Sequence, residues 1–344
     1  MSALSRRDFI VAAGAAGGTM MVGTAGLAQQ DDTPWRGEKI VDCHFHDRPT
    51  DAALIAHLDG AGISNGLVLA GVPSADRFAA TAAKYPGRIS GWAMSTVLAA
   101  DGAQQQESVA GMARIPSPEA AINLRKAVRA GAKGFAETVG VVAVDGPELQ
   151  RLYALAAELD VPVMMHFQES SVPNLPRYGI AGFSRIEAML RAFPKTRFVC
   201  HASDFWGNID SQFHDGGAYP TGKVNRGGLT EKLLADYPNM FGDLGAPSGL
   251  IQLARDSEFT SGFLDRHQDK LLFGSDCGCI DGRGGTLAAV GTSAMQTRMA
   301  AQGGLAGKCI ARELLKIMWT GVERPTFRKL AWSNAQRVYK LDPG

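Results

Sequence analysis

The chain has 344 residues, 45% hydrophobic and 20% charged, enough to build a sizeable core and too apolar for a disordered or fibrous protein. Lys and Arg number 35 against 34 Asp and Glu, a net +1 with no long run of one sign. Nothing in that pattern grips a phosphate backbone, so nucleic acid is not expected as a partner.

In chain order, the first feature is Ser5-Arg6-Arg7-Asp8-Phe9-Ile10 followed by an Ala/Gly-rich apolar stretch ending near Gly26-Leu27-Ala28. This resembles a twin-arginine export signal, and small residues before Ala28 favour cleavage there over retention as a membrane anchor. The expected organisation is a signal over 1–28, a linker over 29–38 and one domain over 39–344. The mature chain is formally neutral, so charge gives no guide to substrate. The resemblance implies a periplasmic protein folded in the cytoplasm, without stable membrane association, and favours a bound metal. A chain folded under reducing conditions cannot depend on disulfides, so Cys43, Cys200, Cys277, Cys279 and Cys309 are read as buried thiols.

Beyond residue 38, short apolar runs alternate with segments of helical periodicity. The predicted strands are Ile40–His44, Gly66–Ala70, Ser90–Met94, Ala132–Glu137, Val161–His166, Arg197–His201, Met240–Leu244 and Leu271–Ser275. Eight strands with crossover helices predict a (β/α)8 TIM barrel or a large doubly wound sheet. No glycine fingerprint follows the first strand, and no P-loop, nucleophile elbow or HExxH motif occurs, which favours the barrel. The segments after strands three, five, six and eight exceed the roughly 2–6 residues of a usual βα loop. In a barrel they rise over the face that carries active sites.

The polar residues fall at strand ends. His44 and His46 close the first strand, His166 the fifth and His201 the sixth, while Asp276 follows the eighth. Residues two apart on a strand lie roughly 6 to 7 Å apart on one face, so His44 and His46 can meet one ion. Closing the barrel brings Asp276 beside them. One such His alone reads as a rim residue; this many equivalent positions read as a site. His57, His214 and His267 fall in helices or loops and are read as structural. Glu137 ends strand four as a carboxylate near the mouth, a hydrogen-bond acceptor behind the donors or a helix-facing surface residue, and Lys133 sits deeper in the same strand. Asp243 ends strand seven, facing the pocket or a salt bridge. Arg177, Trp206 and Arg283 in the long loops are candidate substrate-binding residues, with Glu169 and Asp204 weaker ones. Strand alternation should turn Cys43, Cys200 and Cys277 away from the metal toward the helices.

From about Ile40 to Leu341 the sequence resembles the amidohydrolase-related metal-dependent hydrolases of the aminocarboxymuconate semialdehyde decarboxylase-like branch. The likeness rests on the His44-Phe45-His46 pair, His166, His201 and Asp276. It extends to Lys84-Tyr85-Pro86-Gly87-Arg88, Gly131-Ala132-Lys133-Gly134-Phe135, Phe193-Pro194, Tyr237-Pro238-Asn239, Leu272-Phe273-Gly274-Ser275-Asp276 and Asn334-Ala335. It implies a divalent metal, Zn²⁺ by its N/O ligands, on His44, His46, His166 and Asp276. One ion is favoured, with a second bridged by Glu137 as the alternative. His201 or Asp276 would move the proton. The expected activity is hydrolysis of a small lactone, ester or amide by a metal-activated water. Nonoxidative decarboxylation of a small aromatic or enoic acid is the alternative, and a non-catalytic periplasmic binding protein is the third reading. A small molecule is the expected partner, with a homo-oligomer left open.

Overall fold

A computed structural model describes residues 33–71, 75–99, 106–107, 113–169, 179–284 and 307–342. The signal over 1–28, the start of the linker and Arg177 lie outside the described residues.

Eight parallel strands pair in sequence order: β1 (Val41–His46), β2 (Asn65–Ala70), β3 (Ile89–Ala99), β4 (Phe135–Gly140), β5 (Pro162–His166), β6 (Arg197–His201), β7 (Met240–Asp243) and β8 (Leu271–Leu272). Two backbone hydrogen bonds join the ends of that order, Cys43 N–H to Phe273 O (3.0 Å) and Asp276 N–H to His44 O (2.9 Å). The sheet is thus a nearly closed (β/α)8 barrel. A two-stranded extension, Gln106–Glu107 with Ala113–Pro116, hangs on the end of β3.

Both faces of these strands are buried, which is why they read as continuous apolar runs. Val41, Cys43, Leu67, Leu69, Ala93, Ala136, Met164, Val199, Phe241 and Leu272 fill the interior, and the C-terminal Trp332, Ala335, Val338, Tyr339 and Leu341 pack into the same cluster. Phe45, Val68, Phe135, Val163, Phe198 and Cys200 face outward to the helices. Lys133 stands ahead of β4 with Nζ 3.5 Å from the Lys340 carbonyl, remote from the mouth. Among the described residues no helix is long and apolar enough to cross a membrane. Residues 33–38, within the expected linker, form a turn whose Trp35 is buried and donates its indole N–H to Ala61 O (2.9 Å).

Besides a register shift near the start of β3, two strands break the alternation beside the site. On β1 the register runs Asp42 to Gly66 and then Phe45 to Val68, so Cys43 and His44 together oppose Leu67. On β4 it runs Phe135 to Val163 and then Thr138 to Met165, so Ala136 and Glu137 together oppose Met164. Each is a β-bulge that points two successive residues to one face. Cys43 therefore lies inside the barrel, contrary to the alternation reading, while Cys200 on unbroken β6 faces the helices as expected. The extra residue also carries Phe45 across β2, where a Cβ on Gly66 would come within 2.5 Å of the Phe45 ring.

Candidate metal centre

His44, His46, Glu137, His166, His201 and Asp276 converge at the C-terminal ends of the strands. His46 Nε2 lies 2.9 Å from Glu137 Oε2 and 3.2 Å from Asp276 Oδ1. His44 Nε2 lies 3.3 Å from His46 Nε2, 3.7 Å from Asp276 Oδ1 and 3.8 Å from Glu137 Oε1. The same Oε1 is 3.3 Å from His166 Nδ1. The His201 ring stands edge-on to both His44 and His166, centroids 4.6 and 4.8 Å away.

These donors form overlapping groups whose ligand atoms lie within 4.8 Å of one another. One is His44, His46, Glu137 and Asp276; another is Glu137, His166 and His201; a third joins His44 and His201 to Asp243. His166 thus falls with Glu137 and His201 rather than with His46 and Asp276, and Glu137 belongs to the first two groups. The bulge at Glu137, with φ +40°, turns its carboxylate inward between them.

A further ring of residues orients the donors. His44 donates from Nδ1 to Asp243 Oδ2 at 2.5 Å, both side chains fully buried, leaving the Nε2 lone pair facing the site. Asp243 Oδ1 accepts Gly245 N–H at 3.0 Å. His166 donates from Nε2 to Gln168 Oε1 at 3.1 Å. Asp42 accepts from the Ser275 amide and hydroxyl and the His44 amide, tying β1 to the segment that carries Asp276. Gln168 and Asp42 were missed in the sequence; their signal was two-residue spacing from His166 and His44.

The electrostatics suit a cation. Burial opposes charge on His44 and His46, yet Asp276, Asp243 and Glu137 raise His44 well above the usual histidine range, and Glu137 and Asp276 lift His46 to about 9. Burial resists ionisation of Glu137, but the surrounding imidazoles hold its pKa well below the carboxylate range. Burial and the neighbouring His44 and His166 keep His201 neutral. Both of its ring nitrogens are buried and lack hydrogen-bond partners among the described residues, an orphaned state that ligation relieves. The donor set therefore fits divalent metal.

The structure moves two expected contacts away from the mouth. Trp206 lies in the short helix Ser203–Gly207, fully buried against Phe205 and Phe263, with its indole N–H on Asp243 O (3.1 Å). It holds the segment after β6 against β7. Arg283 is exposed between Gly282 and Gly284, and Gly282 packs on Gly60 and Ala61 at the last turn of helix Asp51–Ala61, on the outer wall. Asp204 and Glu169 serve the loops: Asp204 accepts the Glu169 and Gly216 amides, and Glu169 accepts that of Gly182.

The family model described as Amidohydrolase matches residues 31–341. No curated protein matches the chain. Among solved structures, it is similar to a probable 2-pyrone-4,6-dicarboxylic acid hydrolase from Acinetobacter baumannii, at 12% identity over 88% of this chain and 100% of that one, TM-score 0.47. A 2,6-dihydroxybenzoate decarboxylase from Rhizobium matches at 13% identity over 89% and 99%, TM-score 0.44. An amidohydrolase from Burkholderia multivorans with bound zinc matches at 14% identity over 88% and 100%, TM-score 0.45.

Proposed function

The chain belongs to the amidohydrolase family, and from that premise we propose that it is a metal-dependent hydrolase adding water to the carbonyl of a small lactone, ester or amide. The observation that carries this reading is Glu137, whose Oε2 faces His46 at 2.9 Å while Oε1 faces His166 at 3.3 Å. A carboxylate so shared suits two divalent ions, with His44, His46 and Asp276 on one side and His166 and His201 on the other. The mixed N/O donors suit Zn²⁺. Bound there, such ions supply a nucleophilic water at neutral pH and polarise the carbonyl.

The chain's own residues do the rest. Asp243 keeps the His44 proton on Nδ1, and Gln168 holds the His166 ring from its far side. Asp276, its side chain 11% exposed beside the 32%-exposed His46, takes the proton from the attacking water and delivers it to the leaving group. The group His44, His46, Glu137 and Asp276 would also serve a single ion, the arrangement a decarboxylase would use. Incubation in H₂¹⁸O with panels of lactones, esters, amides and carboxylic acids separates the two. One ¹⁸O in the acid product is expected; CO₂ release with no ¹⁸O in the organic product would overturn hydrolysis.

Periplasmic export by the twin-arginine route is part of the same proposal and rests on Arg6-Arg7 and the apolar stretch behind them. The exported chain should begin at Gln29, read by intact mass; normal export of an Arg6→Lys, Arg7→Lys variant would remove that reading.

A further inference from the structure

We infer that Cys277, Cys279, Cys309 and His57 form a second metal site, a closed Cys₃His site for a thiophilic divalent cation of the zinc type, on the outer wall of the barrel. The four residues come from three separate segments. His57 lies in helix Asp51–Ala61, Cys277 and Cys279 follow β8, and Cys309 caps helix Ile310–Gly321. All four are at most 3% exposed.

The sulfur spacing is that of a coordination shell. A tetrahedral Zn²⁺ with Zn–S near 2.3 Å and Zn–N near 2.1 Å requires sulfurs about 3.8 Å apart and S···N about 3.6 Å. Cys277 Sγ lies 3.4 Å from Cys279 Sγ and 3.7 Å from Cys309 Sγ, and Cys279 Sγ packs against the His57 ring, 3.6 Å from Nδ1. His57 also brings a ring nitrogen within 4.8 Å of both the Cys277 and Cys309 sulfurs.

Packing of inert thiols explains the sulfurs but not the imidazole. His57 Nδ1 is 2.7 Å from the Cys279 carbonyl, and Nε2 is buried without a partner among the described residues. Donation of Nδ1–H to a backbone carbonyl is how proteins fix the tautomer of a metal-ligating histidine and leave the other nitrogen as a bare lone pair. The backbone has closed around the cluster as well. A Cβ on Gly60 would meet Asp281 O at 1.7 Å, one on Gly282 would meet His57 O at 2.2 Å, and one on Gly284 would meet Gly307 O at 2.3 Å.

Four protein ligands leave no open position, which makes the site structural rather than catalytic. Binding exchanges three thiol protons for one divalent cation with no change of oxidation state. Its structural effect is local to the mouth: Cys277 follows Asp276, whose φ is +47°, so the ion would clamp the segment presenting that carboxylate against the first and last helices of the barrel.

The test uses the full chain, reduced and loaded separately with Zn²⁺ and with Co²⁺. Zinc-edge X-ray absorption should show a sulfur shell near 2.3 Å, and cobalt a near-ultraviolet thiolate charge-transfer band. Among the described residues the donors grouped at the mouth are all nitrogen and oxygen, so sulfur ligation reports this cluster. Both signals should vanish in Cys279→Ser and Cys309→Ser and persist in Cys200→Ala and Glu137→Gln. Absence of sulfur from the zinc shell of the parent protein would overturn the proposal, whether or not the variants fold. So would a metal-free parent two hydrogens lighter, with Cys277 in a disulfide.

Discussion

Replacing Asp243 with Asn should weaken metal binding at the mouth while leaving the barrel folded. In the parent, Oδ1 accepts the Gly245 amide at 3.0 Å and Oδ2 accepts His44 Nδ1–H at 2.5 Å. An asparagine keeps the first contact with its oxygen and turns an NH₂ toward Nδ1. That ring nitrogen must then accept, and its proton moves to Nε2, the atom 3.3 Å from His46 Nε2 and 3.7 Å from Asp276 Oδ1. The lone pair needed by a metal is lost from the favoured tautomer. Changes at such orienting groups typically cost 10- to 100-fold in affinity, or about 1.4 to 2.7 kcal/mol. Manganese is the suitable probe, because a hard ion prefers the nitrogen and oxygen donors of the mouth to thiolates. Mn²⁺ titration followed by electron paramagnetic resonance, with circular dichroism to verify the fold, gives the affinity directly. Parent-like affinity in Asp243→Asn would refute the orienting role and reduce the 2.5 Å contact to a packing feature.

Glu137→Gln should lower mouth-bound Mn²⁺ from near two ions per chain to one or fewer, since a neutral amide cannot bridge two cations; unchanged stoichiometry would remove Glu137 from the ligand set. His267 predicts a pH effect on stability away from the site. Burial holds its pKa down at about 4, against about 6.5 in an unfolded chain. Between those values the unfolded chain binds the extra proton, so stability falls as the pH drops from 7 to 5. After solvent screening the loss is roughly 1 to 2 kcal/mol. Urea unfolding of the parent and His267→Gln at both pH values tests this, and an equal pH slope in both proteins would rule it out.

What could be read from the sequence is what depends on local pattern. β5 and β6 are unbroken apolar runs ending in His166 and His201, and those two residues pair directly in the sheet. Their position at the strand ends was therefore legible from the runs themselves. Strand four begins at Phe135 rather than Ala132, although Lys133 and Gly134 ahead of it already hydrogen-bond the β3 backbone at Trp92 and Met94. Trp206 and Arg283 were assigned to the mouth by loop length alone, and length says nothing about whether a loop folds down the outer wall. The Cys277, Cys279, Cys309 and His57 cluster was invisible for a similar reason. Hydrogen bonding and sulfur contact join residues 222 and 32 positions apart, and only the closing of β8 against β1 brings them together.

The bulges explain why a two-residue period could find the His pair and still misplace Cys43. In a regular strand, turning His44 and His46 inward would also turn Asp42 inward, into an apolar barrel floor, and would send Val41 and Cys43 out. Burying a carboxylate in that layer without its partners costs several kcal/mol. One extra residue between Asp42 and Phe45 switches the phase partway along β1. Val41 and Cys43 then fill the interior below, His44 and His46 line the mouth above, and Asp42 reaches Ser275 on the segment after β8. β4 uses the same device one layer up, with Ala136 inside the barrel and Glu137 beside it at the mouth. There the phase switch requires a left-handed backbone at a non-glycine residue, a conformation costing about 1 to 3 kcal/mol that persists only when its surroundings enforce it. The enforcing contacts are His46 and His166, so the strain at Glu137 is held by the same groups that make its carboxylate useful.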